Sequence, residues 1–196
     1  MALDELTRDP VSSVRQVLFT EQQIHERISA LATEISRDYA GREPILIGVL
    51  KGVFVFMADL ARRLTIPLEI DFMAVSSYSG ATRDRGMVRI IKDLDCSITG
   101  RDVLFVEDVV DTGLTLNYLL RNLRSRGPAS IEVCALFDKP GRRLIGLPIA
   151  YRGFKIPDKF IVGYGLDHRE HHRNLPYVGL LKPDQLHPER DSGQAG

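Results

Sequence analysis

Cysteine is scarce in this chain of 196 residues. Its two thiols, Cys96 and Cys134, sit in or beside apolar segments without metal-ligand spacing, and they read as reduced, structural cysteines of a cytosolic protein. Neither sign of charge prevails, with 26 Lys and Arg against 26 Asp and Glu. A general nucleic-acid or anionic-membrane binder carries a surplus of cations, so neither partner is expected, although local basic clusters remain open. No apolar run approaches the roughly 18 residues of a membrane span, and the N-terminus lacks a basic-then-apolar signal pattern. The expectation is a soluble, cytoplasmic protein. Two phosphate-binding signatures are also missing: no Gly-x-x-x-x-Gly-Lys loop and no Gly-x-Gly-x-x-Gly dinucleotide turn occurs.

What is present centres on Val103 to Leu116, Val-Leu-Phe-Val-Glu-Asp-Val-Val-Asp-Thr-Gly-Leu-Thr-Leu. The apolar run Val103 to Val106 reads as a buried parallel strand, and Leu116, Leu119, Leu120 and Leu123 recur at helical spacing after it. Glu107, Asp108 and Asp111 are expected just past the strand's C-terminal end, the edge of an open α/β sheet where ligands bind. Thr112, Gly113, Leu114 and Thr115 supply hydroxyls, backbone N–H groups and a flexible glycine at a helix N-terminus, a cradle for a phosphate dianion. Carboxylates beside such a cradle suit a sugar phosphate. They accept hydrogen bonds from its hydroxyls and can hold a magnesium ion that offsets the remaining charge.

The same grammar of strand, special turn and helix occurs elsewhere. Val14 to Phe19 reads as a short extended piece, and Thr20-Glu-Gln-Gln23 is a capping box opening a helix whose Ile24, Ile28, Leu31, Ile35 and Tyr39 share one face. Ile45 to Leu50 reads as a buried strand running into Lys51-Gly52 and a helix from Val53 to Leu64. A strand from Leu68 to Val75 leads into the polar stretch Ser76 to Gly86, and Met87 to Ile91 resumes the strand pattern, so the stretch between is expected to be a mobile, lid-like loop. Ser130 to Phe137 is another buried strand, stopped by Pro140 and placing Lys139 at its C-terminal end, where a long cation can point across the crevice. Positions 141 to 152 look irregular, and 184–196 read as a flexible tail.

The string from Val103 to Leu116 resembles the phosphoribosyl-pyrophosphate (PRPP) motif of the type I phosphoribosyltransferases, with its hydrophobic run, paired acids and Asp-Thr-Gly. Leu50-Lys51-Gly52 is similar to the pyrophosphate loop of the purine-specific members, and Ser77-Tyr78 to their flexible loop. The segment Ile156 to Asp167, with Arg173-Asn-Leu-Pro-Tyr-Val-Gly after it, resembles the purine-binding region of the hypoxanthine-guanine phosphoribosyltransferases. The resemblance runs in family order from about Val17 to Pro183. It implies an open, twisted, mostly parallel α/β sheet flanked by helices, with a small hood formed by the terminal segments, all within one domain of residues 1–183.

The implied activity is transfer of 5-phosphoribosyl from PRPP to nitrogen 9 of hypoxanthine or guanine, giving IMP or GMP and pyrophosphate. In that frame Glu107 and Asp108 hold the ribose hydroxyls and, with Asp167, magnesium ions; Thr112, Gly113, Leu114 and Thr115 take the 5-phosphate. Many relatives carry lysine at the Leu114 position, a departure of little weight where the backbone does the binding. Lys51, Gly52 and Arg173 take pyrophosphate, and Ser77 and Tyr78 belong to the lid. Asp111 relays the proton leaving the base. Lys139 donates to oxygen 6, Phe160 stacks on the ring and the Ile161 carbonyl meets the amino group of guanine, an arrangement that opposes adenine by setting donors against its 6-amino group. His168, His171 and His172 depart from the residues commoner in relatives and are expected to be solvated rather than metal-binding. A homodimer or homotetramer is implied. Two other readings are an RNA- or DNA-binding regulator that keeps this fold, opposed by Asp111 and the absent basic surplus, and a xanthine-guanine enzyme, opposed by the Lys139 and Phe160 segments.

Overall fold

The computed structural model describes residues 13–77 and 88–183. Two compact units emerge, a core unit of residues 25–158 and a terminal unit of residues 1–24 and 159–196. The core unit holds a six-stranded sheet. Its strands are β2 (Ile45–Leu50), β3 (Glu69–Ser77), β4 (Val88–Lys92), β5 (Asp102–Val110), β6 (Ser130–Asp138) and β7 (Tyr151–Lys155), in the spatial order β4-β3-β2-β5-β6-β7. Every neighbouring pair is parallel except β3 with β4 at one edge. The chain leaves β2 toward one edge and β5 toward the other, so the crevice beyond the C-terminal ends of these two adjacent strands is the sheet's topological switch point.

The helices form where the apolar period requires them. In α1 (Glu21–Asp38) the capping box is made as its sequence suggests, with the Thr20 N–H donating to Gln23 Oε1 at 2.9 Å and the Gln23 N–H to Thr20 Oγ1 at 3.3 Å. Ile24, Ile28, Leu31, Ile35 and Tyr39 are all buried. In α3 (Leu114–Arg124) the four leucines at 116, 119, 120 and 123 are buried against Ile45, Ile47, Phe105 and Val133 of the sheet, each side chain contributing roughly 1.5–3 kcal/mol of apolar burial. This packing anchors the helix whose first turn follows the acidic motif.

Several boundaries differ from expectation: β3 runs on to Ser77, β7 begins at Tyr151 inside the stretch read as irregular, and two differences bear on the site. α2 (Phe54–Ala61) stops before Leu64, because the Arg62 and Arg63 side chains donate to the carbonyls of Ala58 and Asp59 and the Arg63 N–H tightens onto Leu60. β5 does not end at Val106. The neighbouring β6 continues to Asp138, and the ladder runs on through Glu107↔Ala135, Val109↔Phe137 and Val110↔Asp138. Glu107 and Asp108 therefore lie on the last rungs of the strand, and only Asp111 lies beyond it.

The terminal unit is built on a three-stranded antiparallel sheet in the order β1-β9-β8, from β1 (Val14–Phe19), β8 (Ile161–Val162) and β9 (Val178–Leu181). A separate small element made by the chain's terminal segments is what the hood expectation required. Both cysteines are free thiols, and burial pushes the Cys134 thiol well above its ordinary value.

Candidate active site

In the core unit the turns after β2 and β5 meet. Gly52 lies so close to the acidic motif that a Cβ built on it would fall 1.8 Å from Asp108 Oδ2 and 2.9 Å from Asp108 Cγ. Only glycine lets the backbone at Lys51-Gly52 approach the carboxylate this closely. The Leu50–Lys51 peptide is cis. Asp108 Oδ1 accepts the Val109 N–H at 2.7 Å. Glu107 stands beside Asp108 on a half-buried rung, and burial first, then the charge of Asp108, pushes its carboxyl well above the usual carboxylate range. A carboxylate pair under this strain suits a divalent cation. Among the described residues no three His, Cys, Asp or Glu side chains gather into a metal cage. A magnesium ion shared with substrate phosphates needs only one or two protein carboxylates, so the pair fits such an ion.

Gly113 precedes α3 at φ 82°, a left-handed conformation that favours glycine. A Cβ there would also press within 2.9 Å of Arg143 Cδ. The N-cap Gly113 supplies no side-chain cap, the Leu114 N–H donates to the Thr112 hydroxyl at 3.4 Å, and Leu114 and Thr115 are exposed. The first turn of the helix thus presents N–H groups and hydroxyls toward solvent, the cradle expected for a phosphate.

Asp111 is not alone. Arg142 Nε lies 3.2 Å from its Oδ1 and Arg142 Nη1 3.3 Å from its Oδ2, while the same guanidinium reaches Asp158 at 3.5 Å. The segment after β6, read as irregular from its sequence, is strapped to the acidic turn. The Lys139 N–H donates to the Val110 carbonyl (3.0 Å), the Leu144 N–H to Thr112 (3.0 Å) and the Arg143 Nε to Asp111 (3.3 Å). Arg143 and Arg152 both pair with the buried carboxylate of Asp138. A short 3₁₀ turn, Pro140–Arg142, sets this geometry. Arg142, Arg143, Arg152 and Asp138 are the residues that sequence reasoning missed. The adjacent pair Arg142-Arg143 just past a strand's C-terminal end was the available signal.

Lys139 directly follows the end of β6; it is 6% exposed, and among the described residues no ion pair or hydrogen bond engages its ammonium. A buried cation without a counter-charge favours an oxygen acceptor from a ligand.

The terminal unit carries the other expected residues. Asp167 and Arg173, expected at metal and pyrophosphate, form an ion pair at 2.9 Å, and the second Asp167 oxygen accepts the Glu170 N–H at 2.9 Å. Phe160 is 47% exposed, its ring edge-on to His168 at 5.4 Å, so one aromatic face is open for stacking. Ile161 is buried in β8, opposite Leu180. His168 and His171 close an isolated bridge, and His172 bonds Ser13 Oγ at 2.6 Å with burial drawing its imidazole below the ordinary value. Ser77 ends β3, pairing with Val88; Tyr78 and the rest of the expected lid lie outside the described residues.

An open, mostly parallel sheet with an acidic strand end, an exposed helix N-terminus and a glycine turn at its switch point is the frame of a phosphoribosyltransferase. A family model described as the phosphoribosyl transferase domain matches residues 17–169, and the chain belongs to that family. The hypoxanthine-guanine phosphoribosyltransferase of Mycobacterium avium is 52% identical over 176 residues, 87% of this chain and 87% of that protein. The one from Streptococcus mutans serotype c is 46% identical over 172 residues, 88% of this chain and 96% of that protein. A crystal structure of hypoxanthine phosphoribosyltransferase from Staphylococcus aureus matches with a TM-score of 0.85 at 46% identity, covering 91% of this chain and 97% of that one. Within the family, the chain stands among the hypoxanthine-guanine enzymes.

Proposed function

We propose that the protein transfers the 5-phosphoribosyl group from PRPP to nitrogen 9 of hypoxanthine or guanine, forming IMP or GMP and pyrophosphate in purine salvage. The observation that carries this reading is the meeting of the Lys51-Gly52 turn with Asp108, next to the open first turn of α3. Glu107 and Asp108 hold the ribose hydroxyls. They also hold magnesium, as does Asp167, and the ion when bound neutralises charge on the departing pyrophosphate. The N–H groups and hydroxyls from Thr112 to Thr115 hold the 5-phosphate. Lys51, Gly52 and Arg173 take the pyrophosphate, Arg173 exchanging part of its pairing with Asp167 for the anion.

As the glycosidic bond to pyrophosphate breaks, positive charge develops on the ribose ring, and the two carboxylates beside it favour that charge. Asp111 accepts the proton that the base loses, in competition with Arg142 for the same oxygens. Lys139 donates to oxygen 6, Phe160 stacks on the base and the Ile161 carbonyl takes the 2-amino group of guanine. Residues 1–183 serve this reaction as one functional domain; the expected lid from Tyr78 onward and the expected tail of 184–196 lie outside the described residues. Among the described residues no helix is long and apolar enough to cross a membrane; a cytoplasmic homodimer or homotetramer without a nucleic-acid partner completes the reading.

The test is an assay of the purified protein with PRPP and each of hypoxanthine, guanine, xanthine and adenine, before and after exhaustive chelation. Nucleotide formation is expected with the first two bases, absent with adenine, and restored after chelation by magnesium. Full activity in the chelated enzyme, or preference for adenine, would overturn the reading.

A further inference from the structure

A cavity of about 330 Å³ opens in the core unit at the other end of the sheet from the acidic motif. Ser130, on its wall, is the first residue of β6 and pairs with Asp102, the first residue of β5. At about 3.3 Å per residue Glu107 and Asp108, five and six residues on from Asp102, lie roughly 17–20 Å away along the strand. Nothing in the reaction proposed above uses this cavity.

Its lining holds more acceptors than the protein itself satisfies. Glu34, Asp38 and Glu132 supply three carboxylates against the single guanidinium of Arg42. Arg42 is already committed: it lies over the Tyr39 ring at 4.3 Å, donates to the Asp38 carbonyl and pairs with Asp102 at 3.5 Å. Asp38 is likewise committed, pairing with Arg37 at 2.9 Å and accepting the Tyr151 hydroxyl at 3.2 Å. Glu34 and Glu132 have no hydrogen bond or ion pair among the described residues. Tyr39, only 1% exposed, also forms part of the wall, and its buried hydroxyl oxygen has no partner. Such an oxygen is costly to leave unsatisfied. Burial, and next the charge of Glu132, push this phenol up to about 12, so it stays protonated while its lone pairs remain available.

What remains unused is therefore two carboxylates and a buried hydroxyl, a set that suits a donor-rich cation and repels anions. A volume of this size sits at the small end of ligand pockets. We propose that the cavity is a binding site for a small alkylammonium ion, whose N–H groups donate to Glu34, Glu132 and Tyr39 Oη.

The test is calorimetric titration of the full chain with 1,4-diaminobutane at near-physiological ionic strength, where the screening length is about 8 Å and diffuse attraction is suppressed. Saturable binding of one molecule per chain is expected. Glu132→Gln and Glu34→Gln, both at solvent-accessible positions where folding is not at stake, should each weaken it roughly ten-fold. Tyr39→Phe should weaken it as well, and phosphoribosyl transfer should run at the parent rate in Glu132→Gln. Asp108→Asn should bind the diamine as the parent does. Non-saturable uptake, equal affinity in the Glu34 and Glu132 variants, or loss of binding in Asp108→Asn would overturn the assignment, the last by placing the diamine at the catalytic carboxylates.

Discussion

At the scale of single residues, Asp111 and Glu107 are two carboxylates in opposite surroundings. Asp111 is held by the Arg142 fork at 3.2 and 3.3 Å. Asp111→Asn keeps the shape and loses the proton acceptor, so single-turnover transfer should fall by roughly 10²–10⁴-fold while PRPP affinity changes little. An unchanged single-turnover rate would remove Asp111 from the chemistry. Glu107 is raised by burial and by Asp108. A carboxyl whose folded value lies above its unfolded value of about 4.3 contributes stability that is fully present below that value and is lost as pH rises through the folded value. Glu107→Gln should therefore melt higher than the parent at pH 8 in the absence of ligands, with the gap closing toward pH 4. A constant gap across that range would show that Glu107 does not titrate in the fold as described.

Among elements, the turn after β2 and the end of β5 act as one device. Gly52→Ala places a methyl group against Asp108 Oδ2 and must displace either the carboxylate or the loop. Misplacement of this order costs roughly 100-fold in kcat/KM, while the melting temperature should barely move because the turn lies outside the core. Parent-like kinetics in this variant would separate the two turns functionally. The strands that carry both turns were legible in the sequence because β2 and β5 are short apolar runs buried on both faces, a signal independent of partners. The end of β5 was not, because only pairing with β6 decides whether Glu107 and Asp108 extend a strand or leave it. The strap of Arg142 and Arg143 was equally hidden, since its bonds to Asp111 and Asp138 join side chains and carbonyls across a turn with no period to betray them. β8, two residues long, is too short for any alternation to reveal.

Over the whole molecule, the acidic strand end couples ligand binding to stability. Two carboxylates side by side oppose a polyanionic substrate unless a cation intervenes, and Glu107 already shows the cost of the free state. In the proposed reading PRPP with magnesium binds the folded chain alone, so at a hundred-fold excess over Kd it should add about 2.7 kcal/mol to unfolding free energy. PRPP after chelation should add much less in the parent. In the double variant Glu107→Gln, Asp108→Asn the repulsion is gone together with the cation's ligands, and the stabilisation by PRPP should no longer depend on magnesium. Denaturant titrations of both proteins, with PRPP alone and with PRPP and magnesium, give all four values. Persistence of the full magnesium effect in the double variant would show that the ion is held by other groups, and the role of the acidic pair would shrink to holding the ribose hydroxyls.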